Sequence, residues 1–182
     1  MKLINILLLA LLSLLLISFL AGCSKNNTEN TTIDLGTNVG NDKGQIAPDF
    51  DVQLSDGGTF KLSDYKGEKP VLIEFWATWC PYCKRDFNTV KSIYPDYKDD
   101  VVFLAIDLDA SEDAEAINEY VDKYGLDDIK FALTKASVLT DYSVRATTTK
   151  YAIGRNGTIL WKGSGAIDVN TWNIILTGLK ES

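Results

Sequence analysis

The chain has no histidine and only three cysteines in 182 residues. Without histidine there is no Ser-His or Cys-His catalysis, no imidazole general base and no His-ligated metal site. Cys, Asp, Glu, Lys and Tyr are left as candidate nucleophiles and acid–base groups. There is no basic run either. Lys and Arg number 18 against 25 Asp and Glu, for a net charge of −7, so the electrostatic footprint of a nucleic-acid binder is missing. The acidity reads as a solubility charge rather than a docking field. At 46 % hydrophobic and 24 % charged residues, the composition is that of an ordinary globular chain with one domain.

What is present begins with a leader. Met1–Gly22 reads "MKLINILLLALLSLLLISFLAG", a lysine followed by an apolar run, as in a secretory signal. The run ends in "LAGC", Leu20 to Cys23, which resembles a bacterial lipobox. That resemblance implies a diacylglyceryl group on Cys23, which would become the mature N-terminus. The competing reading is an uncleaved transmembrane anchor, for which about 18 apolar residues just suffice. Either reading puts the rest of the chain outside the cytoplasm. Residues 23–45, rich in Asn, Thr and Gly with no apolar period, read as a flexible tether.

From Ile46 the texture is globular. "APDFDVQL" and "TFKL" flank Ser55–Gly58, "SDGG", a hairpin signal. "VLIEFWA", Val71–Ala77, and "VVFLAIDL", Val101–Leu108, read as buried strands by their nearly continuous apolar character. Pro81 suits the first position of a helix. Phe87, Val90, Tyr94 and Tyr97 then recur on one helical face. Ile117, Tyr120, Val121 and Tyr124 make a second stripe, closed by Gly125. "KYAIG" and "TILWKG" flank Arg155–Gly157 as an antiparallel hairpin, and Val169, Trp172, Leu176 and Leu179 mark a last helix. The order predicts an α/β fold with a mixed central sheet flanked by helices and an N-terminal β-hairpin extension, over residues 46–182.

The chemistry lies in "FWATWCPYC", Phe75 to Cys83. A permanent staple is a weak reading, because closing so short a loop stabilises by only about 2 kcal/mol. A structural zinc needs four ligands, and the chain offers this pair, no histidine and a third cysteine assigned to lipid. Exchange fits best. A Cys-x-x-Cys at a strand-to-helix junction places the first sulfur at the helix N-terminus, where free N–H groups and the helix dipole stabilise a thiolate.

"EFWATWCPYCKRD" resembles the active-site segment of the thioredoxin superfamily, and "WATWC" followed by Pro resembles its membrane-anchored TlpA/ResA-like branch. "APDFDVQLSDGGTFKLSDYKGEKPVLIEFWATWC" looks like that branch's N-terminal extension, shared with peroxiredoxins. The resemblance covers about Ile46–Lys180 and implies a thioredoxin-like fold and a protein-disulfide oxidoreductase with no bound cofactor. It implies that Cys80 is the exposed nucleophile with the lower thiol pKa and Cys83 the resolving thiol. Glu74 would be a buried acid that takes the proton of Cys83; a carboxylate turned to solvent at the strand edge is the alternative. Trp79, Pro81, Tyr82, Thr147 and Thr148 would form the substrate edge, and Trp76 would pack. The implied partners are client proteins with disulfides or thiols, a membrane thiol–disulfide electron donor or acceptor, and membrane lipid through Cys23.

Two positions depart from the pattern. "VRATTTKYAIGRNG", Val144–Gly157, has Thr148 where the family carries a cis-proline facing the cysteines, and Asn88 replaces a proline that kinks the active-site helix. Either the Thr147–Thr148 bond is cis, at a cost of about 2.5–4 kcal/mol, or the loop is trans and reshaped. The missing proline also leaves room for a metal-binding or metal-delivery role of the two thiolates. A thiol peroxidase is a third reading, against which the absent Pro-x-x-x-Thr-x-x-Cys motif speaks.

Overall fold

The computed structural model describes residues 38–182. The leader 1–22, Cys23 and the tether up to residue 37 lie outside the described residues. Among the described residues no helix is long and apolar enough to cross a membrane. Asp51–Gln53 (β1) and Thr59–Lys61 (β2) pair antiparallel across the expected turn. Next come Val71–Trp76 (β3), the helix Pro81–Val90 (α1), Val102–Asp107 (β4), the helix Ala114–Tyr124 (α2) and Lys130–Ala132 (β5). The short helix Ala136–Asp141 (α3), Thr149–Ile153 (β6), Ile159–Gly163 (β7) and the helix Val169–Lys180 (α4) complete the order.

The main sheet runs β5-β4-β3-β6-β7. β3 is parallel to β4 and antiparallel to β6, so the sheet is mixed and β3 is its centre. All six residues of β3 and of β4 are buried, as their nearly continuous apolar runs predict for strands covered on both sides. Successive side chains point to opposite faces. Val71, Ile73 and Phe75 join a core with Phe50, Phe60, Tyr142 and Tyr151, under the β1–β2 hairpin and α3. Leu72 and Trp76 join a second core with Cys80, Cys83 and Phe87 of α1, Ile117 and Tyr120 of α2, and Trp172 and Leu176 of α4. The helix α1 therefore lies on the face to which Leu72, Glu74 and Trp76 point.

Local chemistry sets the helix ends. Asp113 and Asp168 cap α2 and α4 by accepting backbone N–H groups. Gly125, at φ 60°, ends α2 in the left-handed conformation that glycine adopts without steric cost. The helix predicted to carry Phe87 through Tyr97 on one face ends at Val90. Pro95 cannot donate to an α-helical ladder, and a 3-10 turn at Tyr94–Asp96 takes over. Val169, expected on the buried face of α4, is exposed, and Ile175 is buried together with Trp172, Leu176 and Leu179.

The boundary expected at residue 45 falls inside the folded part. Asn38–Gln45, assigned to the tether on composition, lies against the domain. Gly44 N–H donates to Ile159 O, Ile159 N–H donates to Gln45 O, and Asp42 pairs with Lys162 at 2.6 Å. These bonds use backbone and single charges, so a polar, aperiodic stretch gives no sign of them.

Candidate functional site

The site forms where β3 ends and α1 begins. Residues 77–79 turn the chain, Cys80 caps the helix and Pro81 takes its first position, a place where the missing N–H costs nothing. The Cys80 sulfur accepts the Cys83 N–H at 3.1 Å, and the two sulfurs are joined as a disulfide with Cα atoms 5.3 Å apart. Cys80 was expected to be exposed. In this disulfide it is only 2 % accessible and Cys83 is fully buried, because the capping geometry turns the Cys80 sulfur inward over the helix start.

The exposed ground around the pair is aromatic. Trp79 is 60 % and Tyr82 57 % exposed, unusual for such large apolar surfaces on either side of one reactive group. Trp79 is held in place: its indole N–H donates to Asp109 Oδ2 at 2.7 Å. The loop before it is held too, since Glu112 accepts both the Thr78 N–H at 3.0 Å and the Thr78 hydroxyl. The guanidinium of Arg85 lies over the Tyr82 ring at 5.3 Å. Pro81 and Asn88 are exposed on α1, while Trp76 is a core residue packed against Phe87, Tyr120 and Phe131.

The second wall is the turn into β6. Thr149 stands opposite Phe75 in the ladder, which sets Thr147 and Thr148 at the sheet end from which the Cys80 turn departs. No peptide bond among the described residues is cis, so the cis alternative for Thr147–Thr148 does not hold. The loop is reshaped instead: Thr148 takes φ 61°, a rare conformation for a β-branched residue. Besides the bond its hydroxyl donates to the adjacent Thr147 O, three bonds to the surrounding structure hold it there. Its N–H donates to Phe75 O at 2.7 Å, its hydroxyl oxygen accepts the Gly165 N–H at 3.0 Å, and its carbonyl accepts from Lys150 at 3.1 Å. Gly165 makes this approach at φ 84°, a backbone conformation natural only to glycine.

Beneath both walls lies a buried charge cluster. Glu74 is fully buried, which removes the solvent-facing alternative. Burial is the main cause that pushes its carboxyl up to about 8; the Lys150 ammonium opposes this and Asp86 adds to it. Lys150 Nζ lies 2.7 Å from Asp86 Oδ2 and 3.6 Å from Glu74 Oε1. At 3.6 Å it is a charge neighbour of Glu74 rather than a hydrogen-bond donor, and both Glu74 oxygens lack a hydrogen-bond partner. A further carboxyl, Asp107 at the end of β4, is buried and pushed up to about 7, chiefly by desolvation.

Lys150 and Asp86 were not singled out in the sequence. "TKYAI" reads as a strand with a polar solvent-side residue, and Asp86 sits among Lys84, Arg85 and Asn88. A charge-bearing residue two positions after the departure at Thr148 was the one available hint.

The AhpC/TSA family matches residues 43–162. The thioredoxin-like protein YneN of Bacillus subtilis is 32 % identical over 122 residues, which is 66 % of this chain and 71 % of that protein. The thiol-disulfide oxidoreductase ResA of Bacillus cereus is 35 % identical over 122 residues, 65 % of this chain and 68 % of that protein. Among solved structures, a thiol:disulfide interchange protein DsbE from Chlorobium tepidum superposes with TM-score 0.67 at 26 % identity, over 76 % of this chain and 98 % of that one. StoA from Bacillus subtilis shares the fold with TM-score 0.60 at 20 % identity, over 70 % of this chain and 96 % of that one. Motif, fold and relatives converge: the chain belongs to the AhpC/TSA family of thioredoxin-like proteins, beside the ResA thiol–disulfide oxidoreductases.

Proposed function

We propose that the protein is an extracytoplasmic thiol–disulfide oxidoreductase that exchanges electrons with client proteins through Cys80 and Cys83. The observation that carries this reading is the Cys80–Cys83 disulfide at the N-cap of α1, in a chain whose relatives are named for that reaction. In the reducing direction the Cys80 thiolate attacks a client disulfide. One client sulfur leaves as a thiolate and a mixed disulfide forms. Cys83 then gives its proton to ionised Glu74 and attacks the Cys80 sulfur. The second client thiolate leaves, the client has gained two electrons, and the Cys80–Cys83 disulfide has formed. The helix N-terminus and the Cys83 N–H favour the Cys80 thiolate. Trp79 and Tyr82 offer the client an apolar surface, with Pro81, Thr147 and Thr148 lining the edge.

The leader and "LAGC" support membrane attachment through acylated Cys23, and with it a membrane partner that renews the Cys80–Cys83 dithiol or disulfide. Family membership also admits the peroxidase reading, but Ala77 stands where its motif needs threonine three residues before Cys80. The test is trapping. Cys83→Ser is expected to accumulate mixed disulfides with clients and Cys80→Ser is not. Equal trapping by both variants sinks the assignment, and rapid peroxide consumption by the wild type would move the reading to the peroxidase.

A further inference from the structure

Lys150 is the only lysine or arginine that is buried among the described residues. A buried ammonium is costly unless it is paired and fully hydrogen-bonded, and apolar side chains could fill the same space between β6, α1 and α4. Its bonds show what it joins. The three N–H groups of Nζ match three acceptors: Asp86 Oδ2 at 2.7 Å, Thr148 O at 3.1 Å and Gly165 O at 3.0 Å. Asp86 lies on α1, three residues after Cys83, and its other oxygen accepts the Ile167 N–H at 2.9 Å. Glu74, directly across the β3–β6 ladder from Lys150, is left with the charge but no N–H.

We propose that Lys150 is a positioning residue for disulfide exchange: one ammonium fixes the Thr148 turn beside the cysteines and supplies the counter-charge for Glu74, so the substrate edge and the proton acceptor are set by the same group. This rests on the exchange reading above. The turn is held through the Thr148 carbonyl, the one anchor of that residue made by a charged donor. The proton step depends on the ammonium because Glu74 can accept the Cys83 proton only once it is ionised, and its ionised form has no hydrogen bond to support it. The charged and titratable groups on this side of the sheet are few. β6 presents Lys150, α1 presents Asp86 and Cys83 with Cys80 at its N-cap, the 3-10 turn after it presents Tyr94, α2 presents Tyr120, β4 presents Asp107 at its far end, and α4 presents none among its buried residues. Of these, Lys150 and Asp86 act on Glu74 in opposite senses, Lys150 more strongly.

The experiment measures client-disulfide reduction by the full chain against pH, for wild type, Asp86→Asn, Lys150→Arg and the double variant Lys150→Met/Asp86→Asn. The double variant removes the ammonium together with its partner carboxylate, while Asn keeps an acceptor for Ile167. In the wild type, the rate is expected to rise as Glu74 ionises. In the double variant the midpoint of that rise moves up by about one pH unit, equivalent to an about tenfold slower rate below both midpoints, and KM for the client increases. Asp86→Asn alone moves the midpoint down, and Lys150→Arg restores the wild-type profile. A double variant of lower Tm with wild-type midpoint and KM overturns the proposal and leaves Lys150 a structural cation. Should the double variant not fold, Asp86→Asn alone decides: an unmoved midpoint refutes the electrostatic link. A wild type with no exchange activity at any pH instead removes the underlying reading.

Discussion

Along β3 the positions Val71, Ile73 and Phe75 enter one layer, and Leu72, Glu74 and Trp76 enter another. The first layer, under the hairpin and α3, is apolar, and its buried hydroxyls are bonded: Tyr142 donates to Pro48 O and Tyr151 donates to Tyr142 O. The second layer, under the cysteine helix, holds Glu74, Lys150, Asp86 and Asp107. All six unpaired buried polar atoms among the described residues belong to it, on Glu74, Trp76, Asp107, Tyr120 and Trp172. Unpaired polar groups in a core cost stability. The strand therefore confines that cost to one face, the face on which the proposed exchange would place its proton acceptor, and leaves the other to hold the fold together.

The largest expected effect of breaking this division is on stability against pH. Glu74 titrates near 8 in the folded chain against 4.5 in the unfolded one. A carboxyl raised by folding contributes stability that is fully present below its unfolded value and lost as pH rises through its folded value. Asp107, raised from 3.8 to about 7, acts in the same direction. The oxidised protein is thus expected to lose stability between about pH 4.5 and 8, by at most on the order of 5 kcal/mol from Glu74. Glu74→Gln and Asp107→Asn should each flatten a comparable share of that slope, Asp107→Asn at its lower end, as read by urea midpoints across the range. A slope unchanged in Glu74→Gln would mean that this face does not bear the cost.

The apolar face gives the complementary test. Phe75 packs against the rings of Tyr142 and Tyr151. Phe75→Ala is expected to cost about 3–5 kcal/mol, as large-to-small core changes do, while the exchange rate per folded molecule at neutral pH stays within about twofold, since the side chain lies in the apolar layer and the backbone carbonyl that holds Thr148 is kept. Denaturation curves and insulin-reduction rates on the same preparation check both halves. A large drop in rate for the folded fraction would show that the two layers are coupled through β3.

The sequence made the apolar face and the cysteine turn legible for related reasons: both follow from local pattern. Nearly continuous apolar runs gave β3 and β4, Asn156-Gly157 gave the β6–β7 turn, and a Cys-Pro pair after a buried strand gave the helix start. β5 and α3 were missed because three and six residues carry too little periodicity to register. Lys150 and Asp86 were missed because neither differs locally from a surface residue; only the β3–β6 pairing and the packing of α1 bring them under one roof. Glu74 was found through family resemblance, and its burial follows from the strand it occupies, whereas the Thr148 turn was legible only as a departure whose geometry the sequence left open between two forms.

Those two forms define the smallest of the three effects. Thr148 is joined by a trans bond, sits at φ 61° and gives its N–H to Phe75 O at 2.7 Å. Proline fixes φ near −65° and has no N–H. Thr148→Pro therefore cannot occupy the present turn, leaves the Phe75 carbonyl without this donor, and displaces the hydroxyl that accepts from Gly165. The expected loss is about 2–3 kcal/mol, the cost of one buried acceptor left unsatisfied plus local rearrangement. Thr148→Gly separates backbone from side chain. It adopts φ 61° freely, which offsets about 1–2 kcal/mol of left-handed strain in threonine, but it loses the Gly165 bond and adds freedom to the unfolded chain. It should come out within about 1 kcal/mol of wild type. Denaturation midpoints of the three proteins, read beside their exchange rates, test the ordering wild type ≈ Gly > Pro. If Thr148→Pro instead equals or exceeds wild-type stability, the turn can revert to the family's geometry on substitution, and the bonds from Phe75, Gly165 and Lys150 do not define it.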